Sequence, residues 1–279
     1  MIIFNQYSIL NTLINKNQTI GLVPTMGSLH KGHMSLIERA LSENEQVIVT
    51  IFVNPTQFED PDDLRKYPEN MDNDVKMIGN ISPKVLIYAP ESNDLYDSSI
   101  VSSSYEFGNI ENIMEGKIRA GHFQGVATVV EKLLTVFLPT NAYFGEKDFQ
   151  QLQIIKSLVR QKKFFTAIIG CPIYRDNNRL ALSSRNSLLS KDERKKASFI
   201  FEQLKIAKSL WGDESAKTII KRIENSFLIN HHFKLDYFNI RFERNLLNAE
   251  KKSEKKVRAF IAAKFGKIRL IDNLALDEF

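Results

Sequence analysis

The chain has 279 residues, enough for one large or two modest domains with a sizeable core. An apolar fraction of 43% and a charged fraction of 25% are ordinary for a soluble globular protein. The first residues do not show the pattern of a secretory signal, and no apolar run approaches the ~20 residues that span a bilayer. A single cysteine, Cys171, excludes an internal disulfide and a cysteine zinc site. We therefore expect a cytoplasmic protein with no membrane association.

The charge is unevenly distributed along the chain. Residues 1–173 hold 15 Lys and Arg against 19 Asp and Glu, whereas residues 174–279 hold 23 against 14. A basic second half could face RNA, or could cover a polyphosphate bound on the first half. The Lys-rich runs at 191–196 and 251–256 are mixed with acidic residues, which favours a solvated surface. We expect no nucleic-acid partner.

The first predicted strand covers residues 19–24, and apolar residues at helical spacing over 34–41 predict a helix after it. Between them, the segment 26–33 places His33 in the first helical turn and His30 just before it. Free backbone N–H groups and the helix dipole make such a position suited to an anion, and imidazoles can add donors. The segment therefore predicts a phosphate site, although two such histidines could also bind a metal or be incidental surface residues. The usual glycine-rich phosphate loops do not occur in the sequence.

The rest of residues 1–173 alternates strand-like and helix-like segments. Strands are predicted at 46–53, 85–88 and 142–144, and helices within 60–77 and at 125–137 and 151–160. This order predicts an α/β fold, a Rossmann-like doubly wound parallel sheet, whose ligands lie beyond the carboxyl ends of the strands. His30, residues 54–57 and Lys147 fall at such ends, and we expect them to converge on one crevice.

The pattern changes near Tyr174. A capping box at 190–193 opens a predicted helix that extends to Trp211, and a second helix is predicted over 215–228. Strand-like stretches follow at 235–242, 257–263 and 268–271. We expect a Rossmann-like nucleotide-binding domain over residues 1–173 and a smaller C-terminal α+β lid domain over residues 174–279.

Five segments carry a resemblance to a known family: Val23–His33, Ile51–Phe58, His122–Val126, Phe144–Leu152 and Leu180–Asn186. Each alone is weak, but together, in this order and spacing, they resemble the pantothenate synthetase (pantoate–β-alanine ligase) family. That family belongs to the nucleotidyltransferase superfamily with H-x-G-H signatures, here His30-Lys31-Gly32-His33. The resemblance extends through nearly the whole chain.

The resemblance implies an ATP-dependent ligation in two steps. The carboxylate of (R)-pantoate attacks the α-phosphate of ATP, which gives pantoyl adenylate and pyrophosphate. The amine of β-alanine then attacks the acyl carbonyl, which releases AMP and pantothenate, the vitamin that leads to coenzyme A. Neither step needs a protein nucleophile, so orientation and charge stabilisation can carry catalysis. Magnesium accompanying ATP and a homodimer are also implied.

The resemblance also implies residue roles toward ATP. His30 and His33 would hold the triphosphate, with His33 as proton donor, while Lys147 and Arg185 would supply cations. Asp148 would bind the ribose hydroxyls, or would simply cap the following helix. The ATP-binding residues implied are Met26, Gly27, Ser28, Leu29, His30, Lys31, Gly32, His33, Gly145, Glu146, Lys147, Asp148, Tyr174, Leu182, Ser183, Ser184 and Arg185.

For pantoate, which would also lie on residues 1–173, the resemblance implies a clamp formed by Gln57 and Gln151. Neutral amides donate to a carboxylate and accept from hydroxyls, which suits a dihydroxy acid. Gln57 would also bind β-alanine, and Asp74 matches an acidic position implied to bind magnesium. The remaining implied pantoate residues are Met26, Asn54, Arg119 and His122.

The sequence departs from the family pattern in three places. Glu69 stands where arginine is usual, Ala120 where proline is usual, and Asn178-Arg179 where Asp-Gly is usual. The last departure is the largest, since glycine permits a backbone turn that arginine resists. It affects the expected geometry of the adenosine pocket and leaves the phosphate and pantoate residues in place.

Two other classes of protein remain as alternatives at this point. A metal hydrolase could use His30, His33 and His122, but such a site also needs ligands in a defined shell, which no spacing here establishes. A non-catalytic RNA-binding module could use the basic second half, which lacks an RNA-binding motif or an interleaved aromatic platform.

Overall fold

The computed structural model describes residues 3–59, 61–96, 100–251 and 255–277, and the chain falls into two units. The first unit contains the residues up to Glu146 together with Gln150–Pro172. The second unit contains Lys147–Phe149 and the residues from Ile173 onward. Three residues that follow a strand of the first unit therefore group with the second.

A six-stranded sheet forms the centre of the first unit, and every pair of neighbouring strands in it is parallel. This confirms the predicted α/β class. The strands are β1 (Ile3–Phe4), β2 (Ile20–Thr25), β3 (Gln46–Ile51), β4 (Leu86–Tyr88), β5 (Asn141–Gly145) and β6 (Ala167–Cys171). Two strands were not predicted from the sequence: β1, which has two residues, and β6, an edge strand whose residues are mostly half-exposed.

The helices of this part of the chain are α1 (Tyr7–Leu10), α2 (Lys31–Glu43), α3 (Pro61–Arg65), α4 (Met71–Ile81), α5 (Ser92–Leu95), α6 (Met114–Ile118), α7 (His122–Phe137) and α8 (Phe149–Lys162). Short 3-10 turns cover Pro55–Gln57, Gly108–Asn112 and Glu146–Asp148. No helix among the described residues is long and apolar enough to cross a membrane.

The strand order, β1-β4-β3-β2-β5-β6, reverses its direction at β2. From β2 the chain proceeds to β3 and β4 on one side, and later places β5 and β6 on the other side. The carboxyl ends of β2 and β5 therefore flank the topological switch point, where ligands of open α/β sheets bind. The core around these strands is aliphatic, and Cys171 is buried in it as a free thiol.

The second unit is built on an antiparallel sheet of β7 (Phe233–Phe242), β8 (Val257–Phe265) and β9 (Ile268–Ala275), in that order. Its helices are α9 (Lys191–Ala197), α10 (Phe199–Leu210) and α11 (Ala216–Ile229), with a 3-10 turn over Ser184–Leu188. Apolar residues of the helices and the sheet form one core. The smaller α+β part predicted from the sequence is confirmed.

The helix predicted from residue 190 is divided in the structure at Ser198. Ser190 caps α9 as expected, since its hydroxyl accepts a hydrogen bond from the N–H of Glu193 at 3.3 Å. The Ser198 hydroxyl donates to the Lys195 carbonyl at 2.7 Å, a local bond that competes with the helical pattern. The apolar spacing continues across this break, so the sequence pattern did not reveal it.

We predict that Gly125→Ala destabilises the first unit. A Cβ at this position of α7 would lie 2.0 Å from the carbonyl oxygen of Thr56, in the turn that carries Gln57. Overpacking of this kind costs about 1–3 kcal/mol, against a helix-propensity gain of up to about 1 kcal/mol. Urea denaturation should therefore give a lower unfolding free energy, and an unchanged or higher value would contradict the close packing.

Candidate active site

The start of α2 is capped by two histidines that exchange hydrogen bonds. His30 is the N-cap, and its Nδ1 accepts from the N–H of Gly32 at 3.1 Å. His33, in the first turn, accepts from the N–H of His30 through its own Nδ1 at 3.3 Å. The ring centroids lie 4.1 Å apart. The pair reproduces a capping box with imidazoles in place of the usual hydroxyl and carboxylate.

This arrangement fixes the tautomer of both rings. An Nδ1 that accepts a backbone N–H must carry a lone pair, so the ring proton of each neutral imidazole lies on Nε2. The assignment follows from the hydrogen-bond network, in which the donors are backbone groups. His30 and His33 therefore each have an Nε2–H donor, which is the group that an anionic ligand needs.

The loop before α2 turns through two residues in the left-handed region, Gly27 (φ +78°) and Ser28 (φ +50°). A Cβ at Gly27 would lie 3.1 Å from Asp74 Oδ2, so both backbone conformation and space favour glycine there. Asp74 accepts the N–H of Ser28 through Oδ2 and that of Leu29 through Oδ1, both at 2.8 Å. The carboxylate thus holds the loop in its turn.

The sequence pattern predicted free backbone N–H groups at this position, and the structure corrects that prediction. The N–H of Gly27 donates to Thr25 Oγ1 at 3.2 Å, and those of Ser28 and Leu29 donate to Asp74. The N–H groups of His30 and Gly32 donate to the imidazoles. Recognition of an anion at this loop therefore falls chiefly to the Nε2–H donors and the helix dipole.

Asp74 does not fit the magnesium role that the resemblance implied. The residue is 1% exposed, and both carboxylate oxygens accept backbone N–H groups. Burial raises the pKa of this carboxyl above its ordinary value, and the bonds from Leu29 and Ser28 oppose the rise. Asp74 is better explained as the brace of the 26–30 loop. Among the described residues, no three His, Cys, Asp or Glu side chains are grouped as a metal ion held by the protein alone would require.

A second set of predicted residues is joined by hydrogen bonds around the turn after β3. His122 Nδ1 lies 3.0 Å from the Gln57 carbonyl oxygen, and His122 Nε2 lies 3.1 Å from Arg119 Nη1. A carbonyl only accepts and a guanidinium only donates, so His122 carries its proton on Nδ1. Its tautomer is opposite to that of His30 and His33. The structure thus brings Gln57, Arg119 and His122 together.

Asn54, just before the Gln57 turn, uses its side-chain amide for hydrogen bonds to other protein groups. Its Oδ1 accepts from the Tyr96 hydroxyl at 2.6 Å and from Thr56 Oγ1 at 3.1 Å, and its Nδ2 donates to the Gly125 carbonyl at 3.1 Å. The residue is 1% exposed. This geometry favours a supporting role for Asn54, which holds the turn of Gln57 against α7.

The other predicted residues of the first unit lie at the ends of β2 and β5. Met26 follows β2 and is half-buried, and Lys31 is exposed. Gly145 ends β5, Glu146 opens the next turn, and Gln151 is half-buried in the first turns of α8. The clamp of Gln57 and Gln151 around pantoate stays a prediction.

In the second unit, Lys147 and Asp148 lie in the 3-10 turn before α8. The Lys147 side chain is 18% exposed, and its Nζ lies 3.8 Å from Asp148 Oδ1, whose side chain is 49% exposed. Such a long pair gives little stability, and the positive charge of Lys147 also lowers the pKa of the buried Asp272 carboxyl, against the rise caused by burial. This is consistent with a cation available for a ligand.

Ser183 is held by the residue that ends its motif. Asn186 Oδ1 accepts from the Ser183 N–H at 2.6 Å and from the Ser183 hydroxyl, and Asn186 is buried. The N–H of Leu182 donates to the Tyr174 carbonyl at 3.0 Å, and Arg175 bridges to Ala181. The predicted residues Tyr174 and 182–185 therefore share one hairpin-like segment.

The departure at Asn178-Arg179 is accommodated locally. Arg179 has a φ of +69°, the conformation for which glycine is favoured. Asp176 Oδ1 accepts the N–H groups of Asn178 at 2.8 Å and Leu180 at 3.0 Å, which holds the turn. The Arg179 guanidinium also lies 5.5 Å from the Phe201 ring centroid, where a cation–π contact offsets part of the strain.

The fold and the first site together define a class of protein. A parallel α/β sheet presents a histidine-capped helix start beside its switch point, and this is the arrangement of a protein that handles a nucleotide through its phosphates.

Comparison with known proteins identifies the family. The sequence model described as pantoate-beta-alanine ligase matches residues 3–275, so the chain belongs to the pantoate–β-alanine ligase family. It is 48% identical to a pantothenate synthetase of Christiangramia forsetii, with 99% of this chain and 100% of the relative covered. It is 47% identical to one from Flavobacterium psychrophilum at the same coverage.

Solved structures agree with this assignment. A pantothenate synthetase of Thermus thermophilus superposes with a TM-score of 0.92 at 35% identity, and 99% of each chain is covered. A pantoate-beta-alanine ligase from Francisella tularensis, complexed with beta-gamma ATP and β-alanine, gives a TM-score of 0.82 at 37% identity. The match covers 100% of this chain and 99% of that one. The resemblance drawn from the five motifs is confirmed.

The sequence pattern did not reveal the polar residues that hold the Lys147 and 174–182 segments. They are Arg175, Arg258, Asp272 and Asn273. For the last two a signal was present, because an Asp-Asn pair interrupts the apolar pattern of β9. A buried polar pair in a strand usually has specific partners.

We predict that His30→Asn separates the two roles of this imidazole, capping α2 through Nδ1 and donating to a ligand through Nε2–H. Asparagine is a good N-cap, so this variant should keep the stability of α2, whereas His30→Ala should lose about 0.5–2 kcal/mol. Both variants lack the Nε2–H donor and should lose ATP-dependent activity. Thermal denaturation and an activity assay on the same samples test this. Activity retained in His30→Asn would contradict the donor role.

Proposed function

We propose that this chain performs the pantoate–β-alanine ligase reaction with the residue roles given below. The reaction condenses (R)-pantoate with β-alanine using ATP, passes through pantoyl adenylate, and gives pantothenate, AMP and pyrophosphate. Family membership over residues 3–275 supports the reaction. The observation that carries the residue roles is the reciprocal histidine cap at the start of α2, beside the switch point of the sheet.

In the first step, we assign His30 and His33 to the triphosphate. Their Nε2–H groups are donors fixed by the cap, and they lie at the positive end of α2. Negative charge grows on the pyrophosphate as the bond to the α-phosphate breaks, so preorganised donors there lower the barrier. His33 is the proposed proton donor to the leaving group. The residues proposed to contact phosphate oxygens are Lys147, Ser183, Ser184 and Arg185.

Pantoate is assigned to the residues around Gln57. The hydrogen bonds from Arg119 through His122 to the Gln57 carbonyl fix the turn, and with it the main-chain position from which the Gln57 side chain extends. Gln151 and Met26 are proposed to complete the pantoate contacts, with Asn54 as support. In the second step β-alanine attacks the adenylate carbonyl, and Gln57 is proposed to contact it.

Magnesium is proposed as the companion of ATP. Magnesium is commonly held through substrate phosphates and a few waters, and it needs few protein ligands. When bound, it would neutralise phosphate charge during adenylation. We assign it no ligand among the described residues, because Asp74 is committed to the 26–30 loop.

Three further predictions stay proposals. The chain is expected to form a homodimer, to act in the cytoplasm, and to use its second unit as a lid over bound ATP. Sedimentation equilibrium of the full chain tests the first. Protease cleavage across residues 174–190 that is independent of substrate would argue against ordering of that segment on binding.

The reaction is tested by exchange of labelled pyrophosphate into ATP, with magnesium and pantoate present and β-alanine omitted. We expect exchange that requires pantoate, because the adenylation half-reaction is reversible. Exchange without pantoate would contradict the assignment. Activity that needs no ATP and is abolished by a chelator of transition metals would favour a metal hydrolase.

We predict that Lys147→Ala slows adenylation by about 10²–10³-fold, the usual effect of removing one preorganised donor to developing charge. The melting temperature should change little, since the ion pair to Asp148 is long and the buried Asp272, which Lys147 also faces electrostatically, keeps its two bonds from Arg175. Lys162→Ala is the control, because it removes a lysine paired with Glu131 at 2.8 Å outside the assigned residues. Equal exchange rates in Lys147→Ala and the parent at saturating substrates would reject the role.

A further inference from the structure

The segment Lys147–Phe149 is attached to the sheet of the second unit. The Phe149 ring lies 5.8 Å from the ring of Phe260 on β8, measured between centroids. The guanidinium carbon of Arg258, also on β8, lies 4.3 Å from the Phe149 centroid. Phe149 is therefore packed between a cation and an aromatic ring of the same strand, which anchors the segment at its C-terminal end.

At its N-terminal end, the same segment is held by Asn273 on β9. Asn273 Nδ2 donates to the Lys147 carbonyl oxygen at 2.9 Å, and Asn273 Oδ1 accepts from Arg258 Nη1 at 2.6 Å. The side chain is 2% exposed. Because a guanidinium can only donate, the amide orientation is fixed, and its NH₂ group must face Lys147.

Arg258 is itself held in place. Its Nε donates to Glu243 Oε1 at 2.8 Å, and the residue is 5% exposed. The result is a continuous chain of polar contacts from the half-buried Glu243 through the buried Arg258 and Asn273 to the main chain of Lys147. Buried networks with every group satisfied are rigid, so this chain can define the position of one residue closely.

The neighbouring residue, Asp272, holds Arg175, in the hairpin-like segment that leads to Ser183. Successive side chains of a strand point to opposite faces. On the second face, Asp272 accepts two bonds from Arg175, at 2.6 and 2.9 Å, and Arg175 also donates to the Arg179 carbonyl at 3.1 Å. The hairpin-like segment before Ser183 is thus tied to the same strand that holds Lys147.

We propose that Asn273 is a positioning residue for adenylation that acts through Lys147. A lysine ammonium lies at the end of a flexible four-carbon stem, so its placement depends on the position of the main-chain atoms that carry the stem. Asn273 fixes the main chain of Lys147. Asp272 beside it holds Arg175, so the Lys147 segment and the 174–182 segment are both held by β9. The inference rests on the proposed role of Lys147.

Asn273→Asp tests the inference with an isosteric change. The carboxylate keeps an acceptor for Arg258 but places oxygen against the Lys147 carbonyl, where the donor was. We expect kcat/KM for ATP in the exchange reaction to fall about ten- to a hundredfold, because misplacement of a catalytic group by about 1 Å costs that much. The KM for pantoate should stay unchanged.

Asn239→Asp is the matched control. Asn239 lies on β7 of the same sheet, donates Nδ2 to the Phe238 carbonyl at 2.8 Å and accepts from Arg241 Nη2 at 3.2 Å. The same substitution there should leave the ATP constants unchanged. In a Lys147→Ala background, Asn273→Asp should cause no further loss, since residues that act as one unit are not additive.

The outcomes separate the two claims. Full exchange in Lys147→Ala rejects the role of Lys147, whereas loss in Lys147→Ala with wild-type constants in Asn273→Asp rejects the inference alone. An equal loss in Asn239→Asp, or an additive loss in the double variant, also overturns the inference. If Asn273→Asp does not fold beside Asp272, Asn273→Ser removes the donor without adding charge. Failure of both to fold would assign Asn273 a purely structural role and overturn the proposal.

Discussion

The structure around the assigned ATP site depends on one constraint: protein side chains accept hydrogen bonds from the backbone N–H groups of the 26–33 segment. Asp74 takes those of Ser28 and Leu29, and the imidazoles of His30 and His33 take two more. Because Nδ1 of each ring is occupied in this way, both rings have their proton on Nε2. One constraint therefore caps the helix, shapes the loop and sets the donor chemistry. A carboxylate or hydroxyl cap would stabilise α2 equally but would supply no such donors.

In the second unit, strand β9 holds both the Lys147 segment and the segment that leads to Ser183. Lys147 lies between β5 and α8 in the sequence, yet it groups with the sheet of β7, β8 and β9. On β9, Asn273 holds the main chain of Lys147, and Asp272 beside it holds Arg175, in the hairpin-like segment that leads to Ser183. The ligation chemistry requires no protein nucleophile, so catalysis depends on how well such donors are held. Buried polar contacts in both units serve that requirement.

Local patterns predicted much of this from the sequence. Continuous apolar runs located β2 and β3, the capping box at Ser190 located α9, and the H-x-G-H segment located the histidine cap. The features that the sequence did not predict correctly depend on contacts between residues far apart in the chain. Asp74 matched an acidic position, but only the fold places its oxygens on Ser28 and Leu29. Likewise, β6 is a short half-exposed strand, and the partner of Asn273 lies 126 residues away in the sequence.

The most direct test of the histidine cap is ¹⁵N NMR of the imidazoles, which is practical because the chain has 5 histidines. We expect His30 and His33 as Nε2–H tautomers and His122 as the Nδ1–H tautomer, which serves as an internal reference. ATP should shift the Nε2 resonances of His30 and His33 and leave those of His231 and His232 unchanged. Nδ1–H tautomers at the cap, or resonances there that ignore ATP, would contradict the account.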